Sequence, residues 1–150
     1  MSDAPSPYRF APMSIADYAP VMALWTATAG LRLRAADSRP AIERYLERNP
    51  NLSFVARHGD QIVGAVLAGH DGRRGYLQHL AVAPDHRGHG VGARLVRLCT
   101  EALAREGIDK THLFVLNDNP AGLAFWRHLG WQPRPEVTMF SHLAAGDLEA

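Results

Sequence analysis

Between residues 14 and 46, apolar side chains recur every three or four positions, the spacing of helices that bury one face. Ser14 begins one such pattern, and Pro20 within it predicts a first turn that is separate from the rest or kinked. Ser38 is a good N-cap for a second helix, because Pro40 follows in its first turn. A short strand over residues 8–13 precedes both helices.

From residue 52 onward, the period of the apolar positions changes to two, which predicts strands. Residues 58–60 suit a hairpin turn between the first two. Two more helices follow, one that begins at Val91 and stops at Gly107 and one that begins at Pro120 and stops at Gly130. The predicted strands of this part cover residues 52–57, 61–68, 76–82, 111–116 and 137–143.

The order of the predicted elements is β-α-α-β-β-β-α-β-α-β. A doubly wound parallel sheet would alternate strand and helix throughout, and three consecutive strands break that alternation here. The sequence therefore predicts an α+β fold with antiparallel strands in its middle.

The composition fits one compact domain over residues 8–147 after a loose, flexible tail over residues 1–7. The chain has 150 residues, 47% of them hydrophobic, and at this length it buries roughly two-thirds of its unfolded surface without a staple. The longest apolar stretch, residues 62–69, falls far short of the roughly 20 residues that a membrane helix needs. With no signal-peptide pattern and a single cysteine, we expect a cytoplasmic protein without an internal disulfide.

The charge balance argues against a broadly basic surface. Sixteen Lys and Arg against fifteen Asp and Glu give +1 with neutral histidines, whereas proteins that bind nucleic acids or membrane surfaces usually carry a basic excess. We therefore expect no nucleic-acid partner and no membrane partner. Positive charge is concentrated locally at residues 73–74 and 86–97, so a small anion site is still open.

The segment from Leu80 to Gly92, LAVAPDHRGHGVG, carries the most informative motif. It runs from a strand through a glycine-rich loop into a helix, so loop amides and the free N–H groups of the first helical turn can face one ligand. Such an arrangement binds phosphate, and Arg87 adds a full positive charge. The glycine spacing is neither that of a dinucleotide fingerprint nor that of a Walker loop.

This segment resembles the acetyl-CoA signature of the GCN5-related N-acetyltransferases (GNAT). The segment from Asn119 to Trp131, NPAGLAFWRHLGW, resembles the second half of that signature, and the order of elements matches the family as well. The resemblance implies the GNAT fold, a mixed, mostly antiparallel sheet of six to seven strands with about four helices. It also implies an N-acetyltransferase with acetyl-CoA as co-substrate.

The resemblance also implies which residues hold acetyl-CoA. The strand backbone at Leu80, Ala81 and Val82 would pair with the pantetheine arm and hold the thioester, and Arg87 would lie near the pyrophosphate. The residues whose amides would wrap the pyrophosphate are Gly88, His89, Gly90, Val91, Gly92 and Ala93.

The second motif contributes the rest of the expected acetyl-CoA site. Asn119 would hydrogen-bond the pantetheine, while Phe125 and Trp126 would line the thioester end. Many family members have a tyrosine at the position of Trp126, where its hydroxyl protonates the departing thiolate. An indole N–H is far too weak an acid for that step, although a thiol of pKa near 8.5 leaves passably without a proton.

The attacking amine must be neutral, and removing the proton of a lysine-like amine at pH 7 costs about 4–5 kcal/mol. In family members the base often lies on the strand over residues 76–82. Strict alternation puts Tyr76 and Gln78 on one face with Leu80 and Val82. We expect Gln78 to order a water and Tyr76 to act as a proton relay.

Four other residues are expected to have no catalytic or metal-binding role. His79 shares the opposite face of the strand with Ala81 by the same count, so we expect a structural histidine. His86 and His89 lack carboxylate or cysteine partners, so they are expected to face solvent or phosphate, and no metal site is predicted. Cys99 lies on the apolar stripe of its helix and is expected to fill the core.

We expect an acetyl-CoA-dependent N-acetyltransferase that acts on the primary amine of a small molecule by direct attack in a ternary complex. One alternative is a peptide or protein N-terminal α-amine as acceptor, since its pKa of roughly 7.7–8.0 demands less of a base. Another is a catalytically weak CoA-binding sensor or regulatory module. The expected partners are acetyl-CoA or CoA and an amine acceptor, and a homodimer is possible.

Overall fold

A computed structural model describes residues 6–146 of the chain. Most of the predicted tail (residues 1–7) and the last residue of the predicted domain (147) therefore lie outside the described residues. None of the helices in the described range is long and apolar enough to cross a membrane.

Within residues 6–146 the chain forms five strands and four α-helices, in the order β-α-α-β-β-β-α-β-α. This confirms the α+β class, the number of helices and the predicted order up to the last helix. The bounds are β1 Tyr8–Pro12, α1 Tyr18–Thr26, α2 Arg39–Arg48, β2 Phe54–His58, β3 Gln61–His70, β4 Gly75–Val82, α3 Val91–Arg105, β5 Thr111–His112 and α4 Pro120–His128.

The two helices of the first third begin as their sequences predict. A separate 3-10 turn, Ile15–Asp17, precedes α1, so Pro20 falls in the first turn of the α-helix, where its missing N–H costs no hydrogen bond. The Ser38 hydroxyl accepts a hydrogen bond from the backbone N–H of Ala41, which caps α2.

The strands lie in one sheet in the order β1-β2-β3-β4-β5. Neighbours are antiparallel through β4, and β5 is parallel to β4. One face packs against α3 through a buried cluster that contains Leu95 and Cys99. The other face packs against α1 and α2 through Val21, Trp25 and Ile42. Each helix layer therefore has its own core, and the sheet separates the two.

A β-bulge interrupts β4 at its centre. Gln78 pairs with Leu67 and Ala81 with Ala65, so three steps along β4 match two steps along β3. His79, within the bulge, has a left-handed φ of +56°, a conformation that costs a non-glycine residue about 1–2 kcal/mol.

The bulge overturns part of the predicted alternation. Leu77 packs in the same cluster as Leu80 and Val82, on the α3 side, so Tyr76 and Gln78 point to the opposite face. The prediction that Tyr76 and Gln78 share a face with Leu80 and Val82 is therefore wrong.

In the described residues the sheet has five strands, fewer than the six to seven that we predicted. Of the expected buried strand over residues 111–116, only Thr111–His112 pairs with β4, and the Phe114 side chain is 64% exposed. No strand forms over residues 137–143, where the Phe140 side chain is 90% exposed. Because β5 pairs with β4 at only two residues, it is too short to offer an edge on which a further strand could pair.

Candidate functional site

A gap opens between β4 and β5. The two strands pair only at Gly75–Thr111 and Tyr76–His112. At about 3.3 Å per residue, Leu80 to Val82 lie about 13–20 Å beyond the last paired residue. The backbone of this part of β4 therefore faces the gap and not a neighbouring strand, and an extended chain with amide groups can pair with such an edge. The structure thus places Leu80, Ala81 and Val82 along one open edge.

The glycine-rich loop follows at the end of that edge. Gly88 and Gly90 have φ values of +81° and +80°, which a glycine adopts without a steric penalty. The first intrahelical hydrogen bond of α3 runs from the Arg94 N–H to the Gly90 carbonyl, 3.0 Å. The amides of Val91 and its two successors, Gly92 and Ala93, therefore have no acceptor within the helix, and together with the positive end of the helix dipole they suit an anion.

Arg87 links the loop to the open edge of β4. Its Nε donates a hydrogen bond of 3.0 Å to the Val82 carbonyl, and the rest of the residue is exposed. The guanidinium is thereby held between the strand edge and the helix N-terminus. A phosphate at the helix would lie within reach of a fixed positive charge.

The helix α4 closes the same side of the gap. A Cβ on Gly92 would lie 3.3 Å from the Phe125 ring, so the glycine permits this close approach. Trp126 packs edge-on against Phe125 and Trp131, with ring centroids 5.1 and 5.0 Å apart. Asn119 caps the helix, because its Oδ1 accepts a hydrogen bond from the Gly122 N–H, 3.1 Å. The second motif is thus brought beside the first, as the resemblance implies.

On the opposite face of the sheet, His79 is held by a carboxylate. Its Nε2 lies 2.8 Å from Oδ1 of Asp37, which precedes α2. The His79 ring also contacts Trp25 edge-to-face at 5.0 Å. Asp37 is itself fixed, since its other oxygen accepts the Arg34 backbone N–H and its carbonyl accepts the Tyr18 hydroxyl.

Burial alone would raise the pKa of the Asp37 carboxyl. The hydrogen bond from His79, the Arg34 N–H and the charge of His79 outweigh burial and hold that pKa below its usual range. Asp37 is therefore ionised at neutral pH and acts as a hydrogen-bond acceptor.

The two residues that the sequence favoured for catalysis lie on the same face as His79. Gln78 is exposed, whereas the Tyr76 ring packs near His112, at 5.8 Å, where β4 and β5 are still paired. Strict alternation gave His79 only a structural role, because it assumes that the strand contains no extra residue. No glycine in residues 76–82 signals the bulge that changes the count.

A cleft of about 250 Å³ lies on the outer side of the gap, lined by Gly30, Leu31, Arg32, Leu116 and Asp118. It separates the loop after α1 from the segment after β5. A larger cavity of about 440 Å³ lies elsewhere, beside α1 and the β2–β3 turn. Arg57 and Asp17 in that cavity are hydrogen-bonded to each other, so its main charged groups already have partners.

The structure also shows the surroundings of His86, His89 and Cys99. His86 Nδ1 lies 3.0 Å from the Tyr8 hydroxyl, and the His86 ring stacks near His58 at 5.0 Å, while His89 is exposed. No group of three or more possible ligands in residues 6–146 could hold a metal ion. Cys99 is fully buried, as expected of a core residue, and burial raises the pKa of its thiol to about 12.

Comparison with known proteins gives consistent results. A sequence model described as "Acetyltransferase (GNAT) family" matches residues 20–131. An acetyltransferase of Pectobacterium atrosepticum is 35% identical over 127 residues, which make up 85% of this chain and 89% of that protein.

Two solved structures illustrate the shared fold. The PaiA N-acetyltransferase of Thermoplasma acidophilum in complex with coenzyme A has a TM-score of 0.69 at 17% identity, covering 85% of this chain and 88% of that one. An aminoglycoside 6′-N-acetyltransferase of Acinetobacter haemolyticus has a TM-score of 0.71 at 22% identity, covering 91% and 99%.

Replacing Arg87 tests the anion site directly. We expect Arg87→Ala to weaken binding of coenzyme A about tenfold, because one charge-assisted contact to phosphate is lost, and Arg87→Lys to recover part of the affinity. Isothermal titration calorimetry at two salt concentrations measures both effects. Arg105→Ala is the matched control, since Arg105 lies in the last turn of α3, about 20 Å from its first turn. Unchanged affinity in Arg87→Ala would contradict the phosphate role.

Proposed function

The chain belongs to the GNAT family of acetyl-CoA-dependent N-acetyltransferases, and on that premise we propose that it acetylates the primary amine of a small molecule by direct attack in a ternary complex. The observation that carries this proposal is the gap between β4 and β5. The glycine-rich loop and α4 border it on one face of the sheet, and His79 with the loop after α1 borders it on the other. Two substrates can therefore meet in the gap from opposite faces.

We assign the residues of the acetyl-CoA site as the two motifs imply. The open edge of Leu80–Val82 pairs with the pantetheine amides, the N-terminus of α3 with Arg87 binds the pyrophosphate, and Phe125 and Trp126 line the thioester end. The orphan amides of α3 and the left-handed glycines before it support this assignment, because the backbone presents donors where a phosphate needs them.

Direct transfer is supported by the state of the only cysteine. An acyl-enzyme on sulfur requires an accessible thiolate, whereas Cys99 is fully buried and the pKa of its thiol is raised to about 12. In the proposed reaction the amine attacks the thioester carbonyl itself. Gln78, exposed beside His79, is proposed to hold a water in the acceptor path, and Tyr76 is proposed only as a distant proton relay.

The cleft beside the gap supports a small acceptor. Its volume of about 250 Å³ is modest, and it offers one acidic and one basic side chain, Asp118 and Arg32. An ammonium group suits Asp118, and Arg32 suits an acceptor carboxylate. A peptide α-amine is the second candidate because Arg32 would equally bind a backbone carbonyl or a terminal carboxylate.

A panel of acceptors tests the proposal. We expect release of the CoA thiol to accelerate with at least one of the following: polyamines, aminoglycosides and amino acids. Peptides with a free α-amine should have little effect, and N-acetylated acceptors serve as matched controls. Acceleration by peptides alone would select the second candidate. Tight CoA binding with no acceptor-dependent thiol release would instead select the alternative of a CoA-binding regulatory module.

The position of Trp126 yields a separate prediction. Because an indole cannot give up its proton, Trp126→Phe removes at most a hydrogen bond and a small part of the ring contacts. We expect kcat with the best acceptor of the panel to fall less than about tenfold, which corresponds to a rise in the activation barrier of at most about 1.4 kcal/mol. A loss of several orders of magnitude would show that the indole N–H is essential for departure of the thiolate.

We also propose that the enzyme is a homodimer. Apolar side chains are exposed in two segments whose sequences favour strands, Phe114 and Leu116 after β5 and Val137, Met139 and Phe140 near the C-terminus. In a dimer, the apolar side chains of the C-terminal segment of one copy can pack against Phe114 and Leu116 of the other, which buries both sets.

Sedimentation velocity tests this association. The wild-type chain should sediment at twice the monomer mass, and Phe140→Asp should shift it toward monomer because a charge then enters the apolar contact. Arg105→Ala should leave the mass unchanged. A wild-type monomer at high micromolar concentration would contradict the proposal.

A further inference from the structure

We propose that His79 is the base that takes the proton of the attacking amine, and that Asp37 is the residue that positions it. This inference rests on the proposed function, because it requires that an amine acceptor reaches the gap from the side of α1 and α2. Strict alternation along the strand gave His79 only a structural role. The bulge in β4 instead brings its side chain to Asp37, directly before the open edge that begins at Leu80.

The hydrogen bond to Asp37 fixes which nitrogen can accept a proton. An ionised carboxylate only accepts hydrogen bonds, so His79 Nε2 carries the hydrogen across the 2.8 Å contact. In the neutral ring, Nδ1 then holds a lone pair. No other residue in the described part of the chain is hydrogen-bonded to Nδ1. The available lone pair is what a general base requires.

The two side chains of the pair are buried to different degrees, which suits this role. The Asp37 side chain is 8% exposed and the His79 side chain is 20% exposed. Asp37 is therefore shielded and held in place by the Arg34 N–H and the Tyr18 hydroxyl. Trp25 contacts the His79 ring, so the imidazole has little freedom to turn. The histidine is therefore the more accessible member of the pair.

The backbone of His79 gives independent support. Its φ of +56° is unfavourable for any residue except glycine and, to a smaller degree, asparagine, aspartate and histidine. Strained positions of this kind cluster at functional sites. A glycine would relieve the strain, so the imidazole is present in spite of a cost to the fold.

The proposed step balances as follows. The acceptor arrives as an ammonium ion, and Nδ1 of His79 takes one of its three protons. The freed lone pair attacks the thioester carbonyl, a C–N bond forms, and the C–S bond breaks as the adduct collapses. The sulfur leaves as a thiolate and takes the second proton of the nitrogen, so the products are the amide, the free CoA thiol and a protonated His79. Solvent removes the last proton through the exposed part of the ring.

Two variants test this assignment without removing the bulge. His79→Asn keeps a residue that tolerates the left-handed conformation and can still donate to Asp37, but it has no proton acceptor. Asp37→Asn keeps an acceptor for Nε2 and loses the charge. His70→Asn is the matched control, because His70 makes the same kind of contact with Glu106, at 3.0 Å, at the end of β3 where it pairs with Gly75, the first residue of β4.

The readout is thiol release from acetyl-CoA with two nucleophiles, the most active amine of the panel and hydroxylamine, which is already neutral at pH 7. We expect His79→Asn to lower kcat/KM for the amine by about 10²- to 10⁴-fold and to spare the hydroxylamine reaction, with CoA affinity unchanged. The acid limb of the pH profile should disappear in His79→Asn. Asp37→Asn should also lower kcat/KM for the amine and spare the hydroxylamine reaction, because the imidazolium loses its stabilising carboxylate.

Equal losses with both nucleophiles, or an unchanged acid limb in His79→Asn, would overturn the assignment while leaving the proposed function intact. Absence of amine-dependent thiol release in the wild-type chain would instead overturn the proposed function. In that case ¹⁵N spectra of labelled histidine still decide the geometry. We expect neutral His79 to carry its hydrogen on Nε2. A hydrogen on Nδ1 would show that this nitrogen cannot act as the base.

Discussion

One extra residue in the central strand governs the arrangement of the site. Because three steps of β4 match two steps of β3 between Gln78 and Ala81, the strand bends and its side chains change faces. The bend parts β4 from β5 after two paired residues, which leaves the backbone of residues 80–82 facing a gap. The same bulge turns His79 toward α1 and α2, where Asp37 holds it. A regular strand would give neither the open edge nor the histidine beside it.

The electrostatics of the chain are local. With a net charge of +1, the molecule as a whole neither attracts nor repels an anion strongly. The free amides at the start of α3 and the guanidinium of Arg87, which is hydrogen-bonded to the Val82 carbonyl, nevertheless concentrate positive charge in the segment that follows β4. On the other face, the ionised Asp37 is the main buried charge near the gap. In the proposed reaction, a phosphate-bearing substrate and a cationic one are thus each favoured on its own side of the sheet.

The sequence was informative where local chemistry decides the structure. Glycines in the left-handed region and the cap at Ser38 act within a few residues, so they could be recognised from spacing alone. The pairing of distant strands could not be recognised in the same way. The bulge at His79 arises from the register with β3, and Asp37 lies 42 residues away in sequence. The strand expected at residues 137–143 has the right pattern, yet it depends on an edge that β5 does not provide.

The pKa values of the two groups that exchange protons explain why the reaction needs a base but no strong acid. A lysine-like amine of pKa near 10.4 must lose its proton at a cost of about 4–5 kcal/mol at pH 7, whereas a thiol of pKa near 8.5 leaves as its anion at a cost of about 2 kcal/mol. The larger barrier belongs to the amine, which is the group that His79 and Asp37 serve in the proposed reaction. The proposed place of Trp126 is beside the departing thiolate, where the smaller cost leaves room for a residue that only packs and donates a weak hydrogen bond. The unequal protonation chemistry of the two faces therefore matches the unequal demands of the reaction.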